Sequence, residues 1–370
     1  MRRLLKRLKA RWAPAFQSDT AFIEAAFREI LGRNADLDGL THYRRVLQDG
    51  LGRTAVLLDI MRSDEFRAKL QPVVAAGPDL RLLRPFSYGR AVDRTNGETI
   101  PVFHATSAED FDWLERAIVE HGYYEKPGVW VLGVDADKRL VAEIVAAFAP
   151  RHGLELGCAA GAVLQCLLDW GIAAEGVEIS GMAIARAHEA VRSRIHHGDL
   201  LSLALAAGSY DLVFGLDIFE HLNPNKLDDY ISRIAEITEQ GGFLFCNIPA
   251  FGNDPVFGTV FPLYIDGWEQ EAAAGHPFTT LQVDDLGYPI HGHLTWADAR
   301  WWVAAFERHG FRRETAIERA LHQKYDRHMK AHSPARCAYF VFSKGAPDER
   351  REAVVRAIAN PSSLITNPHP

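Results

Sequence analysis

Glu155-Leu156-Gly157-Cys158-Ala159-Ala160-Gly161 is the stretch that decides the fold, because one short apolar run ends in it and an amphipathic run, residues 161–170, begins from it. Further short segments typical of strands alternate with amphipathic ones along the chain, at residues 174–179, 195–199, 210–217 and 243–248. This alternation is typical of a parallel sheet with helices on both faces. The sequence therefore predicts an α/β fold with a Rossmann-like doubly wound sheet, whose ligands bind at the carboxyl ends of the strands.

Glycines and carboxylates at these strand ends indicate the kind of ligand. Gly157 and Gly161 allow the backbone to approach a ligand closely, and Glu178 can accept hydrogen bonds from two ribose hydroxyls. The loop lacks the G-x-G-x-x-G pattern of dinucleotide sites, and the carboxylate of Glu155 would repel a pyrophosphate. A cationic ligand without phosphate fits better, and S-adenosylmethionine, which has a sulfonium and an ammonium group, is such a ligand.

Four segments in matching order resemble the motifs of class I S-adenosylmethionine-dependent methyltransferases, namely Glu155–Gly161, Gly176–Ser180, His197–Leu200 and Phe214–Leu222. The resemblance covers about residues 150–345. We expect residues 311–344 to supply two final strands, FRRETAIERAL and CAYFVFSK, as the antiparallel closing pair of the fold.

The resemblance also implies which residues bind the cofactor, S-adenosylmethionine. The Glu155–Gly161 loop would surround the methionine part of the cofactor, and Glu178 would accept hydrogen bonds from the ribose hydroxyls. Asp199 and Leu200 would contact the adenine, and Asp217 would lie near the sulfonium. Ala159 departs from the glycine that is commoner at this position of the family. The predicted cofactor-binding residues are Glu155, Gly157, Cys158, Ala159, Gly161, Glu178, Ile179, Asp199, Leu200 and Asp217.

The predicted catalytic residues follow from the chemistry of methyl transfer, which needs alignment and, for an alcohol acceptor, removal of a proton. His221 is the best-placed base, although it could equally be a structural histidine; Glu220, His291 and His293 are the other candidates. We assign no metal ligands. Two alternatives stay open: Asp217, Glu220 and His221 could hold a divalent cation, and His291-Gly-His293 could bind metal, although no third ligand stands at motif spacing.

Residues 251–294 form a long insertion rich in aromatic residues, glycine and proline, which we expect to build an acceptor pocket or lid. Aromatic faces combined with carboxylates and imidazoles suit a sugar. The chain lacks an N-P-P-aromatic signature after the fourth strand, which disfavours N-methylation of bases or proteins. Polar and aromatic candidates in the insertion are Tyr264, Trp268, His276, Asp284, Asp285, Tyr288, His291 and His293.

The remainder of the chain divides into smaller segments. Residues 1–17 form a basic amphipathic segment, 18–70 a helical module, 71–85 a linker, 86–345 the methyltransferase domain, and 346–370 a loose tail. The module resembles the phycobilisome-linker-like helical domain of unknown function that is often joined to bacterial glycan enzymes. Residues 1–12 could contact an anionic inner-membrane surface or dock on a partner, and the module could recruit a partner enzyme.

Composition excludes several classes of protein. The 370 residues carry a net charge of −7, which argues against nucleic acid as a partner. The four cysteines form no CxxC pair, and no apolar run approaches the ~18 residues that span a membrane, so we expect a cytoplasmic enzyme. The leading hypothesis is O-methylation of a sugar or glycan precursor; alternatives are a small-molecule or lipid-linked acceptor, and a non-catalytic cofactor-binding scaffold.

Overall fold

The computed structural model describes residues 18–31, 33–48, 52–60, 63, 87–125, 132–261 and 264–360. The chain divides into two compact units, one of residues 1–77 with 127–131 and one of residues 78–126 with 132–370. The predicted basic segment 1–17 and linker 71–85 lie outside the described residues.

The described part of the first unit is helical, as predicted. Ser18 caps its first helix by accepting a hydrogen bond from the Ala21 backbone N–H, and Phe22, Ile23 and Phe27 are buried in the unit's own core. The helices are α1 Asp19–Ala26, a π-helical turn Phe27–Leu31, α2 Leu37–Gln48 and α3 Arg53–Ile60.

A seven-stranded sheet forms the centre of the second unit. Its strands are β3 Gly153–Leu156, β4 Ala174–Glu178, β5 Ile195–His197, β6 Tyr210–Leu216, β7 Thr238–Asn247, β11 Arg312–Arg313 and β12 Tyr339–Ser343. Their order across the sheet is β11-β12-β7-β6-β3-β4-β5. The pairs β3–β4, β4–β5, β3–β6 and β6–β7 are parallel, whereas β12 pairs antiparallel with β7 and β11. This confirms the predicted doubly wound sheet with an antiparallel final pair.

Helices cover both faces of this sheet and enclose two apolar cores. One face carries α5 Ala136–Ala147, α6 Ala162–Asp169, α12 Thr315–His332 and α13 Asp348–Ala359. The other carries α9 Leu227–Ile237 and α11 Ala299–Glu307. The short helices α7 Gly181–Ala185 and α8 Glu189–Arg192 follow β4.

Two predictions about the C-terminal region were wrong. The segment FRRETAIERAL is a strand only at Arg312–Arg313, and then begins the 18-residue helix α12, because its apolar residues recur at helical spacing and are buried. Those residues are Ile317, Leu321, Tyr325 and Met329. The segment predicted as a loose tail contains α13, which is anchored by the buried side chains of Val354 and Ile358; residues 361–370 lie outside the described part.

The insertion 251–294 packs together with residues 87–125 into a third apolar cluster. A three-stranded antiparallel sheet joins them, with β10 of the insertion paired to β2. The elements here are β1 Tyr88–Val92, β2 Thr99–His104, α4 Ala108–Glu120, β8 Asn253–Asp254, β9 Gly258–Thr259, α10 Trp268–Ala273 and β10 Thr280–Gln282. Across the described residues, no helix is both long and apolar enough to cross a membrane.

Candidate active site

The loop after β3 is fixed by the carboxylate of Glu178 at the end of β4. One Glu178 oxygen accepts the Ala159 backbone N–H and the other accepts the Ser180 backbone N–H, both at 2.7 Å. Burial raises the pKa of Glu178. The two hydrogen bonds orient the carboxylate and leave further lone pairs for hydroxyl donors.

The backbone of this loop takes conformations that favour glycine. Gly157 and Gly161 have φ of +64° and +67°, and a Cβ on Gly157 would come within 2.7 Å of Ile218 Cδ1. Ala159 also has a positive φ, +48°, so the one departure from the family's glycine occurs where an alanine is strained. These conformations leave the backbone able to run close to a ligand, and the role of the two glycines in cofactor binding stays a prediction.

Glu155 is a buried acid under the loop. Its side chain is 5% exposed, and within the described part of the chain its Oε2 has no hydrogen-bond partner. Burial, followed by repulsion from Glu178, raises the pKa of Glu155 to about 8. Burial also raises the pKa of the neighbouring Cys158 thiol, which rules that side chain out as a thiolate at neutral pH.

The predicted adenine-binding residues, Asp199 and Leu200, lie beyond β5, and Ile179, also predicted to bind the cofactor, lies beyond β4. Leu200 is buried, whereas Ile179 presents an apolar side chain that is 45% exposed. Asp199 accepts hydrogen bonds from the Leu201 backbone N–H at 2.8 Å and from the Tyr230 hydroxyl at 2.6 Å. An exposed apolar side chain near an anchored carboxylate is an arrangement that suits a planar base with an exocyclic amine.

Asp217, predicted to lie near the sulfonium, is already paired. Its two oxygens accept from Asn247 Nδ2 at 2.6 Å and from Arg336 Nε at 2.7 Å, and Arg336 also donates to Asp137 at 3.2 Å. Asp217 has a φ of +50°, a second strained position in the site. The structure therefore does not favour the alternative in which Asp217, Glu220 and His221 ligate a cation together.

Instead, His293 of the insertion meets Glu220 and His221 of the 3₁₀ turn Phe219–His221 after β6. One donor atom from each of the three side chains lies within 4.8 Å of the others, and His293 Nε2 is 3.9 Å from Glu220 Oε1. Burial raises the pKa of Glu220 far above its ordinary value and lowers the pKa of His293 well below its own. Burial also lowers the pKa of His221 to about 4, so this imidazole is neutral at pH 7 and is a weak base.

A row of rings extends from His221. Its Nδ1 lies 3.4 Å from the Tyr124 hydroxyl, and the rings of Tyr124 and Tyr123, then of Tyr123 and Tyr288, are each 5.5 Å apart. The Tyr288 hydroxyl lies 2.6 Å from His121 Nδ1. We call Tyr123, Tyr124, Tyr288 and His121 the tyrosine wall. His291 is exposed next to His293 and has a φ of +59°, a third strained backbone position.

Other insertion residues predicted as candidates serve the packing of the insertion itself. Trp268 stacks on Phe278 at 5.0 Å, Tyr264 packs on Trp268 at 5.5 Å, and Asp284 accepts backbone hydrogen bonds within its own turn. The ring of His276 contacts the Pro277 carbonyl.

Residues 154–246 match the protein-family model described as a methyltransferase domain. The chain carries a class I S-adenosylmethionine-dependent methyltransferase domain. Residues 13–70 match the family model described as "Domain of unknown function (DUF4214)". The search of curated proteins found no match.

Solved structures similar to the methyltransferase domain share low sequence identity with it. One is a SAM-dependent methyltransferase from Archaeoglobus fulgidus, 18% identical over 47% of this chain and 69% of that chain, with a TM-score of 0.34. Another, from Methanosarcina mazei, is 17% identical over 44% and 80%, with a TM-score of 0.34. The [4+2]-cyclase SpnF is 15% identical over 66% and 99%, with a TM-score of 0.36.

S-adenosylmethionine is the cofactor of a domain of this family, and the residues of the methyltransferase domain fit it. Among the described residues Glu155 Oε2 has no hydrogen-bond partner, and a cationic ligand beside this buried acid would favour its ionised form. The Gly157–Gly161 backbone leaves room that Cβ atoms would fill. Glu178 would accept the ribose hydroxyls, and Asp199 with Leu200 would hold the adenine. When bound, the cofactor supplies a methyl group on a positively charged sulfur.

Sequence reasoning about the methyltransferase domain did not identify Arg336 and Asn247 as the partners of Asp217. Both contact Asp217 from elements distant in the chain. Arg336 lies in the 3₁₀ turn Pro334–Cys337, and no motif marks it. Asn247 ends β7, the strand paired with β6, so its position at the same sheet edge was the one available signal.

Proposed function

We propose that the methyltransferase domain transfers a methyl group to a hydroxyl oxygen of a sugar, in a precursor of a cell-surface glycan. The observation that carries the proposal is the joining of Glu220, His221 and His293 with the tyrosine wall, next to the predicted cofactor loop. Methyl transfer to an alcohol needs a group that removes the hydroxyl proton or makes the hydroxyl more acidic, whereas transfer to an acceptor that is already deprotonated needs no such group.

Position supports this proposal. The Phe219–His221 turn directly follows Ile218, the residue that closes on Gly157 of the cofactor loop. An acceptor oxygen held near His221 would therefore lie on the side of the loop where β6 ends, which favours in-line attack on a methyl group bound there.

The chemistry of the tyrosine wall supports a sugar as acceptor. Tyrosine rings provide faces for the C–H surfaces of a pyranose, and phenol and imidazole groups provide hydrogen bonds for its hydroxyls. The N-terminal module adds an association, because the family that it resembles is often joined to glycan enzymes. We also propose a cytoplasmic location, since all four cysteines are buried free thiols.

The test is methyl transfer from isotopically labelled S-adenosylmethionine to nucleotide sugars, oligosaccharides, lipid-linked sugars, phenols and quinols in parallel. We expect label in a sugar fraction that survives mild alkali, because methyl ethers are stable to alkali and carboxyl methyl esters are hydrolysed. Label only in phenols or quinols, or label lost in alkali, would contradict the proposal.

A pair of variants links the activity to the tyrosine wall. Tyr124→Phe should raise the KM for the acceptor several-fold and leave the binding of S-adenosylhomocysteine unchanged, because it removes a hydroxyl beside His221. Tyr210→Phe is the matched control: it removes a hydroxyl bonded to Glu175 on strands β6 and β4, so the KM for the acceptor should stay unchanged. Equal KM values in all three proteins would contradict an acceptor role for the wall.

A further inference from the structure

Glu220 is a buried carboxylate whose charge has no counterpart in the described structure. Its side chain is 1% exposed, and within the described residues neither of its oxygens has a hydrogen-bond partner. The nearest guanidinium, that of Arg336, is already engaged by Asp217 and Asp137. A buried carboxylate in this condition is costly unless a proton or a cation satisfies it.

A proton alone is a poor solution here. A protonated carboxyl becomes a donor and needs an acceptor, but the closest imidazole nitrogen, His293 Nε2, is 3.9 Å away, beyond hydrogen-bond distance. The His293 Nδ1 atom is also buried and, among the described residues, without a partner. A cation between the three side chains would satisfy Glu220 and one nitrogen of His293 together.

The two parts of the cluster are held in register by the backbone. The Glu220 carbonyl accepts the backbone N–H groups of Leu294 and Thr295 at 2.8 and 2.9 Å. The Thr295 hydroxyl donates to the Leu222 carbonyl at 2.6 Å. The end of the insertion is therefore bonded to the turn that carries Glu220 and His221, which fixes His293 opposite them as a preorganised ligand set requires.

We propose that Glu220, His221 and His293 form a binding site for one divalent transition-metal cation. Two imidazoles and one carboxylate are ligands typical of Zn²⁺, Fe²⁺, Mn²⁺ or Co²⁺, whereas Mg²⁺ and Ca²⁺ prefer oxygen ligands alone. The donor atoms, now within 4.8 Å of one another, need to approach by about 1 Å to reach the ~2.0–2.2 Å metal–ligand distances of such sites. Three protein ligands leave coordination positions open.

The role of this cation rests on the proposed function, although the site itself does not. An acceptor hydroxyl at an open position would lose its proton to water more readily, because a divalent cation lowers the pKa of a coordinated oxygen. Its oxygen then forms the new bond to the methyl carbon while the sulfonium C–S bond breaks. The electron pair of that bond stays on sulfur and gives S-adenosylhomocysteine. The weak basicity of His221 then presents no obstacle to proton removal.

The test measures metal binding without substrate. Full-length protein that carries no histidine tag is treated with a chelator, dialysed against micromolar Zn²⁺ or Co²⁺, and its metal content and Co²⁺ visible absorption are recorded. We expect one equivalent per chain with wild type, and at least about tenfold weaker binding with Glu220→Gln or His293→Gln. The control His196→Gln, a histidine paired with Glu175 on the sheet edge, should bind as wild type does.

Each outcome is decisive, because binding of S-adenosylhomocysteine by calorimetry verifies that each variant is folded. Wild type that takes up no metal, or a folded Glu220→Gln protein that takes up as much as wild type, would overturn the site. Metal uptake without any methylated sugar would overturn the proposed function and leave the site standing. Methylation of sugar at full rate by metal-free protein would overturn the role of the cation.

Discussion

Replacing Glu155 by glutamine should change how the stability of the methyltransferase domain depends on pH. Burial and the nearby Glu178 raise the pKa of Glu155 from its ordinary 4.5 to about 8 in the folded protein. A carboxyl whose folded pKa is raised favours the folded state fully below its unfolded pKa, and loses that contribution as pH rises from 4.5 towards 8. Wild type should therefore lose stability across this window through Glu155.

The magnitude follows from linkage between the two pKa values. With 4.5 in the unfolded and 8 in the folded state, the loss of unfolding free energy is about 1 kcal/mol at pH 5 and about 3 kcal/mol at pH 7. The difference, about 2 kcal/mol, is insensitive to the folded pKa, because at pH 7 the group is already mostly ionised when unfolded and mostly neutral when folded. Glutamine does not titrate, so Glu155→Gln should lack this loss.

The assay is urea unfolding at pH 5, 6 and 7 for wild type, Glu155→Gln and Glu307→Gln, followed by tryptophan fluorescence. The stability of Glu155→Gln relative to wild type should rise by about 2 kcal/mol from pH 5 to pH 7. Any effect of the amide that does not depend on pH cancels in this comparison. Glu307, exposed at the end of α11, gives the same charge change without burial and should leave the slope unchanged.

Parallel pH profiles for wild type and Glu155→Gln would refute the reasoning, since they would show that Glu155 is not held as a buried acid. The same variant should bind S-adenosylmethionine more weakly than wild type, because it lacks the carboxylate that the cation would ionise. Glu155→Gln should therefore be more stable than wild type but bind S-adenosylmethionine more weakly. This combination is expected of a residue that serves ligand binding at a cost in folding stability.

Two further substitutions test the loop and the insertion. Gly157→Ala places a Cβ 2.7 Å from Ile218 Cδ1 at φ +64°, whereas the control Gly171→Ala has a similar φ, +73°, and open space around the new Cβ. Both variants should lose about 1 kcal/mol of unfolding free energy through backbone strain. Only Gly157→Ala should also weaken S-adenosylhomocysteine binding in calorimetry. Arg313→Met leaves the buried carboxylates of Asp254 and Glu318 without the guanidinium that pairs with them, and should cost about 3–5 kcal/mol of unfolding free energy in urea titrations. The control Arg308→Met removes an exposed ion pair with Asp228 and should cost about 0–1 kcal/mol. Equal S-adenosylhomocysteine affinity in the two glycine variants, or equal losses of unfolding free energy in the two arginine variants, would contradict the corresponding argument.

The fold of the second unit could be predicted from the sequence because its strands are short, apolar and separated by amphipathic helices. The loop glycines and Glu178 were also predictable, since each follows its own strand and the carboxyl ends of parallel strands share one edge. The strand predicted over FRRETAIERAL was correct only at Arg312–Arg313, because a two-residue edge strand has no periodicity of its own that would mark its end. The helix α12 that follows was missed because a closing strand pair was expected there, although Ile317, Leu321 and Tyr325 recur at helical spacing.

The sequence named both His293 and Glu220 as catalytic candidates, but their direct contact could not be predicted, for a different physical reason. Sequence patterns report which residues a single helix or strand places together, but residue 293 reaches residue 220 because two sets of backbone hydrogen bonds hold the insertion there. Pairing of β10 with β2 secures its middle, and hydrogen bonds from Leu294 and Thr295 to the Glu220 carbonyl secure its end. Both anchors use backbone groups, which every residue has, so no side-chain pattern reports them. For the same reason, a search for a third metal ligand close in sequence to His291-Gly-His293 fails. The insertion brings His293 to a turn that lies more than 70 residues earlier in the sequence.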